Sequence, residues 1–273
     1  MKSLLLIVLL SCPIVQADSL THMTALQGVD YMPLKSAVNG HQYHIYVQSP
    51  APQAGDQQRY PVVYLLDGGN LFPMLAPYHH YLQTTEELSP VILVGISYGT
   101  TDWKKGNRRS TDFTLPADDR AHYGGAAAFH QMMTDELFPL IEQKYPTDSS
   151  RRILMGHSIG GQFALYAAQH QPHTFAGLIA SNPAIHRNTA QFLQDPEPTS
   201  AQPRLFIMQA DGDDERFKKP RKTWLEHWQR NPHHWIMKVM TVEGHHHMSS
   251  VPAAYRQGML WLNNIFSQNT ETQ

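Results

Sequence analysis

The sequence predicts an α/β fold with a mostly parallel central sheet and helices on both of its faces. One observation is that continuously apolar runs recur along the chain, which is typical of strands covered on both sides. The second is that segments with helical spacing lie between several of these runs, and such alternation favours parallel strands joined by helices. The runs that predict strands are residues 62–66, 91–96, 153–155, 178–181, 205–208 and 235–240.

The composition is that of a globular protein with a sizeable core. Of the 273 residues, 41% are hydrophobic and 16% are charged. The formal net charge of −2 is close to neutral, and Lys and Arg form no basic run. A nucleic-acid partner is therefore not expected, because phosphate binding needs a concentrated basic surface.

The first residues have the pattern of a secretory signal peptide. Lys2 precedes an apolar run at residues 4–10, and Val-Gln-Ala at residues 15–17 resembles a cleavage site. The run is too short to span a bilayer. We therefore expect residues 1–17 to be removed from an exported protein that is periplasmic or secreted and keeps no stable membrane insertion.

A lipoprotein signal with a lipidated Cys12 is the competing interpretation. Leu10 is large for that pattern and Pro13 follows the cysteine, which favours cleavage after Ala17. Cys12 is the only cysteine. Cleavage after Ala17 would therefore leave an exported protein without a thiol nucleophile or a disulfide. We expect residues 18–273 to form one domain, since no linker divides them.

The first part of that domain begins irregularly. Residues 18–40 show no clear period, which indicates an edge strand and a loop. Residues 43–47 alternate in polarity as a strand does. Asp-Gly-Gly-Asn at residues 67–70 ends the next strand in a turn, and a helix is expected before the strand at 91–96.

The middle of the chain contains a long polar segment and a long helical one. Residues 98–123 are too many for a plain connection and predict a functional loop or small lid. Residues 126–145 have helical spacing, which Pro139 would bend or interrupt. A closing helix is expected over residues 259–266.

A Gly-His-Ser-Ile-Gly stretch at residues 156–160 lies between a predicted strand and a helical segment at 163–168. This is the pattern of a nucleophile elbow, in which Ser158 projects from a strained turn. Gly156 and Gly160 would keep side chains out of the crowded strand–helix packing. The alternative is an ordinary glycine-rich turn with a helix-capping serine.

Acidic and histidine clusters follow Ser158 in the order of an α/β-hydrolase triad, serine, acid and then histidine. The acid candidates are Asp211, Asp213, Asp214 and Glu215, and the base candidates are His245, His246 and His247. The residues alone do not choose within either cluster. The alternatives are an exposed acidic turn and a metal-binding or merely polar histidine turn.

Two backbone N–H groups are expected to form an oxyanion hole. One belongs to Ile159, which follows the candidate nucleophile. The other belongs to Gly69 in the turn after the strand at 62–66, where glycine lets a substrate approach the backbone.

With these motifs the sequence resembles the putative-esterase family of α/β-hydrolases, which includes enterochelin (siderophore) esterases and esterase D. The resemblance covers nearly all of the domain, and its motifs are specific as a set rather than singly. The matching stretches are residues 63–68, 108–114, 136–141, 156–161 and 243–249.

The resemblance implies an α/β-hydrolase fold and roles for particular residues. The family motif Glu-Gly-x-x-His places the base at His247, although Met248 stands where the family has a small residue. A Gly-x-x-Asp/Glu pattern nominates Glu215 as the acid, with the three neighbouring aspartates as rivals. Some relatives work with a serine–histidine dyad.

Substrate contacts are expected where this chain departs from the family. Asn182 begins a run, residues 182–187, that replaces the family's Ser-Pro-Ser and should lie beside the nucleophile. Arg109, or its neighbour Arg108, would hold an anionic or catechol-bearing substrate. The alternative for the arginine is an ion pair with Asp112.

These features together predict an exported serine esterase that forms an acyl-enzyme on Ser158. Siderophore esters are the substrate that the resemblance implies, and neither a metal nor an organic cofactor is expected. An acyltransferase with the same triad and a non-catalytic binding protein are the alternatives. The sequence does not predict the oligomeric state.

Overall fold

The computed structural model of the chain describes residues 26–51, 58–196, 199–231 and 234–270. The predicted signal peptide, residues 1–17, lies outside the described residues. The strands are β1 (Val29–Lys35), β2 (Gln42–Gln48), β3 (Tyr60–Leu65), β4 (Ile92–Ser97), β5 (Thr147–His157), β6 (Gly177–Ser181), β7 (Arg204–Ala210) and β8 (Ile236–Val242). The helices are α1 (Gly68–Thr84), α2 (Arg109–Asp112), α3 (Ala126–Met132), α4 (Phe138–Lys144), α5 (Ile159–His170), α6 (Thr189–Phe192), α7 (Glu215–Gln229) and α8 (Val251–Thr270).

All eight strands form one sheet in the order β1-β2-β4-β3-β5-β6-β7-β8. β2 pairs antiparallel with β1 and β4, whereas the strands from β4 to β8 pair in parallel. The parallel strands therefore end at one edge, and the loops that follow β3, β5, β7 and β8 meet there. The predicted α/β class and mostly parallel sheet are confirmed.

Each face of the sheet carries its own apolar core. In β3 the alternating residues Val62 and Tyr64 pack with α3, α4, α5 and α7 on one face. Val63 and Leu65 pack with α1 and α8 on the other. This two-sided burial explains why the parallel strands are continuously apolar in sequence.

The helix predicted over residues 126–145 is divided. A π-helical turn, Met133–Leu137, separates α3 from α4, and Pro139, which has no N–H to donate, is the second residue of α4. The closing helix is longer than predicted and runs over Val251–Thr270. Helix α7 was not predicted, although Trp224, Leu225 and Trp228 have the spacing of one helix face. Among the described residues, we find no helix with the length and apolar character needed to cross a membrane.

Candidate active site

Ser158 lies between β5 and α5 in a strained turn, with φ of 58° and ψ of −117°. A Cβ on Gly156 would lie only 2.0 Å from the carbonyl oxygen of Gly160, so this position accepts no side chain. A Cβ on Gly160 would make ordinary contacts at 3.5 Å or more. The expected crowding is thus confirmed at Gly156 but is wrong for Gly160.

The end of β6 and the loop that follows it hold the backbone of Ser158 on both sides. Its N–H donates to the carbonyl of Ser181, at 2.9 Å, and its carbonyl accepts from the N–H of Ala184, at 3.0 Å. These two hydrogen bonds offset part of the strain that a positive φ imposes on a serine. The geometry is that of the predicted nucleophile elbow.

His247 is the histidine that the structure brings to the serine. Its Nε2 lies 2.9 Å from the Oγ of Ser158. The Nδ1 of His245 instead lies 3.0 Å from the carbonyl of Ser249, and that of His246 lies 3.0 Å from the carbonyl of Gly212. Both of those rings are tied to the surrounding loop, so only His247 of the three has the position of a base.

Asp213 is the acid at this histidine. Its Oδ1 lies 3.0 Å from the Nδ1 of His247 and also accepts the backbone N–H of Asp214, at 2.8 Å. An ionised carboxylate only accepts hydrogen bonds, so Nδ1 carries the proton. Nε2 of the neutral ring is then the acceptor for the Ser158 hydroxyl.

The prediction of Glu215 at this position is wrong. Glu215 is the first residue of α7, is exposed, and pairs with Lys218 at 3.0 Å. Asp214 caps the same helix by accepting the N–H of Arg216, and Asp211 is an exposed turn residue that accepts the N–H of Gly212. Asp214 and Glu215 thus have local roles at the start of α7, whereas Asp211 also accepts the N–H of His245, at 3.3 Å, in the loop that carries the base.

The start of the helix separates these acids. Asp214 is the N-cap of α7, and the next residue, Glu215, is its first residue and is exposed. Asp213, directly before the cap, is the residue that faces His247. The spacing of the family motif alone pointed two residues too far.

Asn182 contacts the histidine loop rather than the cavity, so its predicted substrate-binding role is not supported by its position. The side chain is fully buried. Its Nδ2 donates to the carbonyl of His247, at 2.8 Å, and to Oγ of Ser250, at 2.7 Å, while its Oδ1 accepts the N–H of Ala210, at 2.8 Å. It therefore joins the ends of β6 and β7 to the loop that carries the base.

The two predicted oxyanion donors lie in the first turns of two helices. Gly69 is the second residue of α1, and Ile159 is the first of α5. In α1 the helical hydrogen bonds start with the N–H of Asn70, and in α5 with that of Gln162. The N–H groups of Gly69 and Ile159 thus precede the helical ladders, and both helix dipoles are positive at these ends.

A cavity of about 460 Å³ opens in front of Ser158. Its lining includes Gly69, Arg109, His157 and the exposed Met248. A second, more apolar cleft of about 620 Å³ adjoins it, and both are lined by Gly69 and Tyr46. Ser158 thus lines the first of two adjoining spaces, and the second lies beyond Gly69.

Arg109 lines the cavity but is paired with Asp67. Its Nε and Nη2 donate to the two carboxylate oxygens of Asp67, at 2.6 and 2.8 Å. The alternative partner, Asp112, is buried and instead accepts hydrogen bonds from Tyr43 and Tyr98. Arg109 thus lies where the prediction put it, with its charge already matched by a carboxylate that the sequence did not identify.

Two rings flank the imidazole of His247, and neither was predicted. Phe217 of α7 stacks on it with a centroid distance of 4.6 Å and an interplanar angle of 20°. His157 lies 4.8 Å away, and burial, followed by the charges of His247 and Arg109, lowers the pKa of His157 to about 3. His157 is therefore neutral, so it adds no permanent charge beside the base.

No group of three or more potential metal ligands occurs within the described residues.

Comparison with known proteins places strands β2 to β8 and the site within one family model. The model of a family described as putative esterase matches residues 36–256. The ferri-bacillibactin esterase BesA of Bacillus subtilis is 32% identical, in an alignment that covers 60% of this chain and 61% of that protein. The apo-salmochelin esterase of Escherichia coli is 28% identical, with 60% of this chain and 53% of that protein covered. The alignments thus span less than two thirds of these relatives.

Solved structures share the fold at low sequence identity. The BES protein from Bacillus cereus superposes with a TM-score of 0.72 at 23% identity, over 87% of this chain and 95% of that chain. An IroE-like serine hydrolase from Shewanella oneidensis gives a TM-score of 0.73 at 22% identity, over 86% and 80% of the two chains. The likeness extends over most of both chains and shows a common architecture.

Proposed function

The chain belongs to the family described as putative esterase, and from that premise we propose that it is an exported serine hydrolase that cleaves carboxylic esters. The observation that carries the proposal is the continuous hydrogen-bonded series from Ser158 through His247 to Asp213, with distances of 2.9 and 3.0 Å. Serine becomes a nucleophile only when a base accepts its proton and an acid orients that base.

The reaction follows from this arrangement. Ser158 Oγ attacks the ester carbonyl carbon while its proton passes to Nε2 of His247. The tetrahedral intermediate then collapses, the bond to the alcohol oxygen breaks, and the alcohol leaves with the proton from His247. A water molecule then attacks the acyl carbon while its proton passes to the same ring. The bond between that carbon and Ser158 Oγ breaks, Oγ recovers the proton from His247, and the carboxylic acid is released.

The developing negative charge would be stabilised by Gly69 and Ile159. Both N–H groups lie at helix N-termini outside the helical ladders, where a fixed donor favours an oxyanion over a neutral carbonyl. Asp213, whose Oδ1 lies 3.0 Å from Nδ1 of His247, stabilises the imidazolium that His247 becomes.

Siderophore esters are the substrate class that we propose. This rests on the relatives named as ferri-bacillibactin and apo-salmochelin esterases. Two adjoining cavities of about 460 and 620 Å³ provide room for a bulky ester. The proposed export rests on the signal-like residues 1–17.

A serine-directed fluorophosphonate tests the acyl-enzyme directly. We expect the purified protein to be labelled on the peptide that contains Ser158, and the Ser158→Ala variant to lose both labelling and hydrolysis of p-nitrophenyl acetate. A ferric tricatecholate ester, compared with its iron-free form, then tests the substrate class. A folded wild-type protein that is neither labelled nor active on any ester would refute the proposal.

Two further measurements separate the alternatives. Adding a sugar or glycerol acceptor during turnover reports acyl transfer, which would appear as acylated acceptor in excess of free acid. N-terminal sequencing of the exported protein is expected to begin at Asp18. A lipidated start at Cys12 would instead identify a lipoprotein.

A further inference from the structure

A fully buried arginine lies behind the acid of the triad. Arg221 of α7 has no exposed surface. Its Nη2 donates to the Oδ2 of Asp213, at 3.0 Å, and its Nε donates to the side chain of Gln209, at 3.0 Å. Its Nη1 has no hydrogen-bond partner among the described residues.

Such an arrangement is expensive for the folded state. The free energy needed to remove a guanidinium from water often exceeds the Coulomb attraction gained from one ion pair, and a buried donor without a hydrogen bond is a further destabilising contribution. Burial accordingly lowers the pKa of Arg221, against the opposing effect of the Asp213 carboxylate. A role in stability alone is therefore a poor explanation for Arg221.

We propose that Arg221 is a positioning residue that fixes the Asp213 carboxylate and, by balancing its charge, sets the pH range over which His247 acts as a base. This inference rests on the proposed serine-hydrolase function. It concerns a residue that makes no contact with the cavity in front of Ser158.

The positioning follows from how the carboxylate oxygens are shared. Oδ1 accepts from His247 and from the backbone of Asp214, while Oδ2 accepts from Arg221. Rotation of the carboxylate would break all three hydrogen bonds. Asp213 directly precedes the N-cap of α7, and Arg221 lies about two turns into that helix. The helix thus holds its own preceding acid in one orientation.

The charge effect follows from burial of both partners. The side chains of Asp213 and Arg221 are 0% and 1% exposed, so water screens neither of them well. Without the positive charge of Arg221, the buried Asp213 carboxylate would favour the protonated form of His247. The ring could then not accept the serine proton at mildly acidic pH. The guanidinium opposes that protonation.

The other charged groups around His247 are matched or remote. On β5, His157 has a pKa lowered to about 3, chiefly by burial, and is neutral. Beyond it, Arg109 of α2 is paired with Asp67. On α7, the guanidinium of Arg216 lies over the ring of Phe217. Arg216 is exposed and forms an ion pair with Asp214. His186, on the loop after β6, touches Phe217 rather than His247. Asp213 and Arg221 are therefore the buried charges that act on the base.

The test is the pH profile of kcat/KM for p-nitrophenyl acetate, followed at the isosbestic point of the nitrophenol. Arg221→Met and Arg221→Gln remove the charge, and we expect the midpoint of the acidic limb to rise by about one pH unit in each. Arg221→Lys keeps the positive charge but loses the planar set of guanidinium donors. We therefore expect a lower maximal kcat/KM, with the midpoint of the acidic limb within about 0.3 pH unit of wild type.

Arg152→Met is the matched control. It breaks a partly buried ion pair with Glu142 outside the active site, and we expect a lower melting temperature with an unchanged profile. A merely structural role for Arg221 would lower activity at every pH without moving the midpoint. Circular dichroism and thermal unfolding identify the variants that are folded.

Two outcomes overturn the inference. One is a folded uncharged variant whose midpoint coincides with that of the wild type. The other is an Arg221→Lys variant whose acidic midpoint rises by about one pH unit although the charge is kept. This second outcome tests the inference even if neither uncharged variant folds. Failure of the proposed function looks different, since the wild-type protein would then show no hydrolysis and no labelling of Ser158.

Discussion

The side-chain amide of Asn182 donates a 2.8 Å hydrogen bond to the backbone carbonyl of His247. The same amide group reaches the hydroxyl of Ser250, and its oxygen accepts the N–H of Ala210. A single buried side chain thus connects two strand ends with the loop that carries the base. The position of the imidazole depends on this connection as well as on Asp213.

Replacing Asn182 by Gly is expected to lower kcat by about 10- to 100-fold with little change in KM. Glycine tolerates the φ of 42° at this position, so the change removes the side chain without adding backbone strain. The freed carbonyl and N–H groups should also cost about 1–3 kcal/mol each in the free energy of unfolding. Asn231→Ala, which removes a similar hydrogen bond to the carbonyl of His227 on an exposed surface, is the control. An Asn182→Gly variant with wild-type kcat would contradict the expected role.

Asp213 and Glu215 give opposite expectations. Asp213→Asn should lower kcat by roughly 10³- to 10⁴-fold, because an amide can hold the imidazole in the wrong tautomer and cannot balance its charge. Glu215→Gln removes only an exposed pair with Lys218 and should leave turnover within about twofold of wild type. Steady-state kinetics on a short ester measure both. Equal losses in the two variants would reject the assignment made from the structure.

Asp67 is expected to suppress any preference of Arg109 for anionic esters. Asp67→Asn keeps a residue that tolerates the φ of 54° but removes the negative charge. The KM for an ester that carries a carboxylate should then fall by about fivefold relative to that for a neutral ester, the size expected for one partly exposed charge pair. The double variant Asp67→Asn/Arg109→Gln should abolish the preference. An unchanged KM ratio in the single variant would show that Arg109 is out of reach of the substrate.

Three buried histidines predict loss of stability in acid. Burial is the largest cause that lowers the pKa of His79 and His130 to about 4 and that of His157 to about 3. In the unfolded chain these rings take up protons near pH 6.5. The unfolded state therefore binds more protons between about pH 6.5 and 4, so the free energy of unfolding falls as the pH falls through that window.

Urea unfolding between pH 7 and 4.5 measures this slope. His130→Gln should reduce the slope by the contribution of about one bound proton. Glutamine is chosen because its amide can still bond Thr174, the partner of His130 at 2.9 Å. The exposed His122 offers the matched replacement, His122→Gln, which should leave the slope unchanged. A slope that is the same in all three proteins would remove His130 from the explanation.

The features that the sequence could predict are those encoded in neighbouring residues. Apolar runs identified the parallel strands, and the Gly-His-Ser-Ile-Gly pattern placed Ser158 in its turn because strand, turn and helix are consecutive. His247 came from the order of motifs and from the family resemblance. The structure agrees with each of these positions, although the catalytic roles of the residues stay predictions.

The features that escaped prediction depend on contacts between distant segments. Asp213 was not chosen because it lies only two residues before Glu215, and the spacing of the family motif does not show where α7 begins. The start of that helix decides which acid faces His247. Asn182 was expected to face substrate, since nothing in its neighbours shows that it faces the loop after β8. Arg221 gave no signal at all, because arginines are almost never fully buried.

The order of the triad along the chain has a consequence for biosynthesis. The nucleophile is made at residue 158, but its acid follows at 213 and its base only at 247, after every strand of the sheet has been made. Synthesis runs from the N-terminus, so a nascent polypeptide carries the serine without its base. The proposed activity would thus be absent while the chain is being made, and it would begin only when the last loop docks against Asn182.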